Sequence, residues 1–95
     1  MADPLLHMLI LRHTPETCPA ANPSMREKCG TRLQQLRADA PQHGATVHGS
    51  WADVAGHTFF FVVEAPNAHV ISQMVTQLEL FHWSTMELRP VVAMG

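Results

Sequence analysis

Hydrophobic and polar positions follow the pattern of β-strands in some segments of this chain and that of α-helices in others. Four segments are predicted to be strands. Residues 5–14 are rich in leucine and isoleucine, and residues 57–65 form a run of Phe, Val and Thr. Both runs are typical of strands in the interior of a sheet. Residues 45–52 and 85–94 have mixed composition. Pro90 in the last of these favours an edge position, because proline cannot donate a ladder hydrogen bond.

Two further segments have the spacing of amphipathic helices. The first follows Asn22 and Pro23, a favourable N-cap and first helical residue, and its end is predicted at Pro41 and Gly44. The second helix is predicted to begin after Asn67, which is a second N-cap. The apolar stripe of the first helix is Met25, Cys29, Leu33, Leu36 and Ala40, and that of the second is Val70, Ile71, Met74, Val75 and Leu78.

The second strand alternates in polarity, so Val47, Gly49 and Trp51 are expected to share its drier face. Turn residues at 53–56 then join it to the third strand in a hairpin.

The element order β-α-β-β-α-β predicts an α+β fold, a split βαβ unit with right-handed crossovers. The expected order of the antiparallel sheet is 4-1-3-2, and residues 1–95 are expected to form one domain. Two helices cover only one face of such a sheet, whereas its central strands are apolar on both faces. We therefore expect a homodimer in which two open sheet faces pack together, the alternative being a ligand-binding patch on that face.

Charge and composition exclude several classes of partner. Lysine and arginine total 6 against 8 acidic residues and form no basic stripe, so nucleic acid is not expected to bind. The apolar stretch at residues 5–11 is too short for a membrane span of roughly 20 residues and has no signal-peptide features. The two cysteines, Cys18 and Cys29, fit a reducing compartment, and a cytoplasmic protein is expected.

Several segments resemble the small dimeric α+β-barrel proteins. The residues that carry the resemblance are Gly49-Ser50-Trp51-Ala52, the strand 59–65 ending in Val63-Glu64-Ala65, Pro66-Asn67 before a helix, and Glu87-Leu88-Arg89-Pro90-Val91-Val92. The chain is most similar to muconolactone-isomerase-like domains of unknown function. The resemblance implies a ferredoxin-like dimer, in a superfamily that includes cofactor-free monooxygenases, isomerases, haem proteins and simple binders.

Seven histidines are an unusual number for so short a chain. The predicted topology brings the end of strand 1, the start of strand 3, the start of helix 1 and the start of strand 4 to one edge of the domain. His13, Cys18, His57 and His82 are therefore expected to converge there. Imidazole and thiolate ligands suit zinc or copper. The alternative for each histidine is an ordinary solvated or hydrogen-bonded side chain.

Cys18 also has an interpretation without metal. It precedes a helix N-terminus, where the helix dipole favours a thiolate, and a neighbouring imidazole could accept its proton. Such a pair would act as a nucleophile or a redox-sensitive thiol. Cys29 lies on the apolar stripe of the first helix and is expected in the core.

An aromatic pocket between the sheet and the helices is the second functional prediction. Its expected lining is Trp51, Phe59, Phe61 and Met86, although the same side chains could simply pack the barrel. The leading hypothesis is a small dimeric protein that binds zinc or copper. The alternatives are a cofactor-independent monooxygenase or isomerase acting on a small aromatic or hydrophobic substrate, or a non-catalytic metabolite-binding dimer. Without the metal, no cofactor is expected.

Overall fold

Four strands and two α-helices follow one another in the predicted order in the computed structural model, which describes residues 5–18 and 22–94. The strands are β1 (Leu5–Arg12), β2 (Thr46–Asp53), β3 (Thr58–Ala65) and β4 (Thr85–Val91), and the α-helices are α1 (Pro23–Asp39) and α2 (Ala68–Gln77). Short 3-10 helices lie at Pro15–Thr17, Ala40–His43 and Leu80–His82. The sheet is antiparallel with the order β2-β3-β1-β4. The predicted α+β class, ferredoxin-like layout and strand order are confirmed.

Both α-helices begin at the predicted asparagine caps. The side-chain oxygen of Asn22 accepts hydrogen bonds from the amides of Ser24 (3.1 Å) and Met25 (3.4 Å). The side chain of Asn67 accepts one from the amide of Val70 (3.0 Å). These bonds satisfy amides that have no partner within the helix. Neither α1 nor α2, the α-helices of the described ranges, has the length and apolar composition needed to cross a membrane.

The hydrophobic core lies between the two α-helices and one face of the sheet. Its most buried members are Leu9 and Leu11 of β1, Phe61 and Val63 of β3, Leu36 of α1, and Ile71, Met74 and Val75 of α2. Each such side chain contributes about 1.5–3 kcal/mol by leaving water, so this layer dominates the stability of the fold.

Within residues 5–18 and 22–94, no helix lies on the other face of the sheet, since α1 and α2 both pack on the core side. We call it the open face, and its apolar members are Leu6, Met8, Ile10, Trp51, Phe60, Val62 and Val91. Ile10 is buried, whereas Trp51 is 59% exposed. Ion pairs flank this surface at Arg12–Glu87 (2.7 Å) and His48–Glu64 (3.2 Å).

A β-bulge in β2 decides on which face Trp51 lies. The pairing register steps directly from Val47 to Gly49, which leaves His48 as an extra residue. Because side chains alternate along a strand, one inserted residue moves the following positions to the opposite face. Trp51 therefore lies opposite Phe60 on the open face. The expectation that Val47, Gly49 and Trp51 share one face is wrong.

Candidate metal centre

His13 and His57 lie side by side where β1 ends and β3 begins. The ladder between these strands reaches Arg12 opposite Thr58. One position further, the amide of His13 donates a hydrogen bond to the carbonyl of His57 at 3.0 Å. Strand pairing therefore brings together two histidines that are far apart in sequence, as the predicted topology requires.

The turn before β3 holds His57 in an uncommon backbone conformation. Its φ is +52°, in the left-handed region that glycine favours. The amide of Gly56 donates to Asp53 Oδ1 (3.0 Å), and the hydroxyl of Thr58 donates to the carbonyl of Gly56 (2.8 Å). A left-handed conformation costs a non-glycine residue about 1–2 kcal/mol. Strain of this kind is often found at functional sites.

The 3-10 helix Pro15–Thr17 positions Cys18. The carbonyl of Cys18 accepts a hydrogen bond from the amide of Asn22 (2.9 Å), the N-cap of α1. The hydroxyl of Thr17 donates to the carbonyl of Trp83 at 3.3 Å, which fastens this segment to the residues that precede β4. The result is a cysteine that is only 3% exposed at the same edge as the two histidines.

The ligand atoms of His13, Cys18 and His57 all lie within 4.8 Å of one another. Both ring nitrogens of His13 and the Nδ1 atom of His57 are buried, and they have no hydrogen-bond partner within the described residues. Most buried polar side-chain atoms in proteins do have a partner. Three nitrogens are thus available for a ligand at this point.

Aromatic rings surround the imidazole of His13. It stacks on Phe59 with centroids 5.2 Å apart, and the ring of His57 meets it edge-on at 5.5 Å. The indole of Trp83 lies at 5.8 Å. Burial, and to a lesser degree the neighbouring His57, lower the pKa of His13. The neutral imidazole, which is the form that binds a metal ion, is therefore favoured here.

The two free cysteines occupy different environments. Burial raises the pKa of the Cys29 thiol, and the nearby Arg32 and Lys28 offset this only in part. Cys29 is completely buried in α1, so it is a protonated core residue, as its place on the apolar stripe predicts. Cys18 has the imidazoles as neighbours instead, and it is the thiol suited to chemistry.

A small cavity of about 170 Å³ opens beside His13 and Cys18. Its other lining residues are Arg26, Ala52, Asp53, Val54, Thr58 and Phe59. The wall is largely apolar, with one guanidinium and one carboxylate. A small molecule or ion could reach His13 and Cys18 through this cavity.

His82, the fourth predicted ligand, does not join this group. It belongs to the 3-10 helix Leu80–His82 and is exposed, whereas Leu80 is buried and Trp83 is half-buried. A 3-10 helix has three residues per turn, so neighbouring side chains diverge by about 120°. Trp83, which was not among the expected site residues, contributes the ring that approaches His13.

The predicted aromatic lining is divided in the structure. Phe59 and Phe61 border a second, larger cavity of about 350 Å³ between α1 and the sheet. Trp51 also borders it, although the bulge pairs this residue with Phe60. Met86 instead packs against the core and is not part of the lining.

Residues 9–95 match the family described as "Domain of unknown function (DUF3303)". The chain belongs to this family. A solved structure with the same fold as this DUF3303 chain is a conserved protein of unknown function from Bacteroides thetaiotaomicron VPI-5482, described as a possible oxidoreductase. The two superpose with a TM-score of 0.61 at 14% identity, over 95% of this chain and 98% of the other. At this identity the likeness shows the fold alone.

No curated protein matches the DUF3303 chain. The similarity to muconolactone-isomerase-like domains stays a prediction, because neither the family description nor the similar structure names them.

Proposed function

We propose that this protein binds one transition-metal ion through His13, Cys18 and His57. The observation that carries the proposal is the convergence of three ligand atoms within 4.8 Å. Both ring nitrogens of His13 and Nδ1 of His57 are also buried and free of competing hydrogen bonds among the described residues. A role in packing alone would leave these buried nitrogens without hydrogen-bond partners, which is unfavourable.

The donor set favours zinc or copper over harder cations. Two imidazoles and a thiolate suit both metals, whereas magnesium and calcium prefer oxygen ligands. Around tetrahedral zinc, bond lengths of about 2.0–2.3 Å place the donor atoms roughly 3.3–3.6 Å apart. Because the ligand atoms already lie within 4.8 Å of one another, their separations would shorten by at most about 1 Å on binding.

Three protein ligands leave one position for an exchangeable ligand. Structural zinc sites normally have four protein ligands, whereas catalytic sites have three and keep a position open. The small cavity beside His13 and Cys18 provides room for water or a donor atom from a small molecule. We infer a metal that meets exogenous ligands rather than one that only supports the fold.

Elemental analysis of untagged protein, purified without chelator, tests the proposal. We expect about one equivalent of zinc or copper per chain. Loss of one ligand in Cys18→Ser, His13→Ala or His57→Ala should weaken affinity by at least roughly 100-fold, since even loss of a supporting hydrogen bond costs 10–100-fold. His82→Ala and His69→Ala, which replace exposed histidines outside the group, are the matched controls and should keep the metal. Wild-type protein without metal, even after incubation with zinc or Cu(I), would contradict the proposal.

A second candidate function is an enzyme that acts on a small aromatic or hydrophobic molecule, as a monooxygenase or isomerase without a separate cofactor. The larger cavity, bordered by Phe59 and Phe61, favours it. The description "possible oxidoreductase" belongs to the Bacteroides protein and supports this candidate by analogy only. A non-catalytic role in metabolite binding would use the same cavity. Turnover assays distinguish these two uses.

We also propose that two copies pair through the open face. Leu6, Met8, Phe60 and Val62 are half-buried there without a covering helix, and such a contiguous apolar surface is more typical of an interface than of a monomer. A two-fold dimer would cover both copies of this surface at once.

We also propose a cytoplasmic location, because both cysteines are free thiols, as in a reducing compartment.

A further inference from the structure

We infer that the larger cavity is a binding site for a small aromatic carboxylate anchored by Arg37. This inference deepens the second candidate function by naming the chemical class of the ligand, and it does not depend on the metal. The observations that carry it are an apolar cavity wall, one guanidinium at its rim, and the absence of any acid from the lining residues.

The body of the ligand is specified by the apolar part of the wall. Leu33 of α1, Val47 of β2, and Phe59 and Phe61 of β3 supply it. The volume of about 350 Å³ is at the lower end of the range for small-molecule sites, about 300–1,000 Å³. Phenylalanine faces and edges pack well against a flat ring. A single aromatic ring with a short substituent matches this size and surface.

The charge of the ligand is specified by Arg37. Leu33, Gln34 and Arg37 lie within one turn of α1 and border the cavity together. Arg37 carries the only formal charge among the lining residues, and its guanidinium has no ion pair or hydrogen bond within residues 5–18 and 22–94. Arginine pairs with carboxylates through two parallel hydrogen bonds, which adds orientation as well as affinity.

Three other arginines of the described chain already have carboxylate partners. Arg12 and Arg89 pair with Glu87, and Arg32 pairs with Glu79 at 2.9 Å. The guanidinium beside the aromatic cavity is thus available where those are not. Gln34 and Ser50 add an amide and a hydroxyl at the same cavity. Few polar groups converging on an apolar pocket are the usual pattern of a small-molecule site.

The carboxylate site adjoins the candidate metal centre. Ala52 and Phe59 border both cavities, and the ring of Phe59 stacks on His13. A ligand in the larger cavity would therefore be separated from His13 by one phenyl ring. The two sites bind their ligands through different side chains, although Phe59 and Ala52 border both cavities.

Titration of the full, chelator-treated chain with benzoate and with benzamide tests the inference. Chemical-shift changes of backbone amides would report both affinity and location. We expect saturable benzoate binding that shifts residues of α1 and β3 around the cavity. Benzamide, which has the same ring and no charge, should bind at least roughly tenfold more weakly.

Arg37→Gln is the decisive variant, and Lys28→Gln is its matched control. Both remove one positive charge from α1, but Lys28 does not border the cavity. We expect Arg37→Gln to reduce benzoate affinity to about that of benzamide and Lys28→Gln to leave it unchanged. Arg37 lies in the last turn of α1, where a cation stabilises the helix. The variant should therefore unfold at a slightly lower temperature than wild type but remain folded at the temperature of the titration.

Three results would overturn the inference: no benzoate binding at millimolar concentrations, equal binding of benzoate and benzamide, or equal affinity of wild type and Arg37→Gln. The first two need no variant. Benzoate binding without turnover of any aromatic carboxylate would remove the enzyme candidate but leave this site intact. Metal content measured on the same preparation before chelation tests the metal proposal separately.

Discussion

At the scale of single residues, the proposed metal-ligand role of His57 and its backbone conformation favour different residue types. Its imidazole belongs to the candidate metal group, while its φ of +52° suits glycine better than any residue with a Cβ atom. We expect metal-free His57→Gly to be more stable than metal-free His57→Ala by about 1 kcal/mol, because only alanine keeps the left-handed strain. Urea unfolding of both variants in the presence of a chelator measures this difference.

The same pair of substitutions at His69 is the control. His69 lies in the first turn of α2 and is exposed, so alanine should be at least as stable as glycine there. If His57→Ala proved as stable as His57→Gly, the turn would not hold the left-handed conformation in solution. Both His57 variants should fail to retain metal.

Convergence of His13, Cys18 and His57 could be predicted because it follows from strand pairing and chain direction. The orientation of each side chain could not. His82 and Trp83 are neighbours in sequence, and which of them faces the site depends on the 3-10 turn that begins at Leu80. The missing hydrogen bonds of the imidazoles likewise depend on distances that only the folded chain defines.

At the scale of elements, two glycines of the α1 region make opposite contributions to stability. Gly30 is in the interior of α1, and an added Cβ there would meet nothing within 4 Å. Gly44 ends the following 3-10 helix with φ +71°. Gly30→Ala should stabilise the protein by about 0.5–1 kcal/mol, because alanine favours the helix. Gly44→Ala should destabilise it by about 1 kcal/mol, because alanine disfavours that φ.

Thermal or urea unfolding, each variant beside wild type, checks both signs. A destabilised Gly30→Ala would mean that α1 packs more tightly at this position than the structure shows. A neutral Gly44→Ala would mean that the chain leaves α1 by a different turn.

Element boundaries were predictable wherever a local signal sets them. Asn22 and Asn67 start their helices through bonds to amides two or three residues away, and such signals are contained in short segments. The bulge at His48 is different, since it is defined by the partner strand β3. A strictly alternating pattern in β2 therefore gave the wrong face for Trp51.

At the scale of the whole molecule, the open face predicts the oligomeric state. Val62→Lys places a charge at the centre of the apolar surface, and it should convert a dimer of 10.5 kDa chains into folded monomers. Val92→Lys is the matched control, because Val92 lies beyond β4 and is 87% exposed. Light scattering coupled to size exclusion measures both masses, and circular dichroism verifies that both variants fold.

A wild-type protein with the mass of one chain at micromolar concentrations would contradict the dimer. In that case the alternative of a ligand-binding patch on the open face would be favoured. Equal masses for Val62→Lys and wild type, both dimeric, would instead place the interface on a different surface.

A backbone hydrogen bond joins His13 to His57 where the two central strands meet. The candidate metal centre therefore forms only after these strands have paired. An unfolded chain or an isolated hairpin lacks the pair, because one histidine follows β1 and the other precedes β3. An ion bound there would link the two central strands reversibly, and it would bind only to a chain in which they are paired. Its free energy of binding would then add to the stability of the native state by mass action, so that the supply of metal would control how long the folded protein persists.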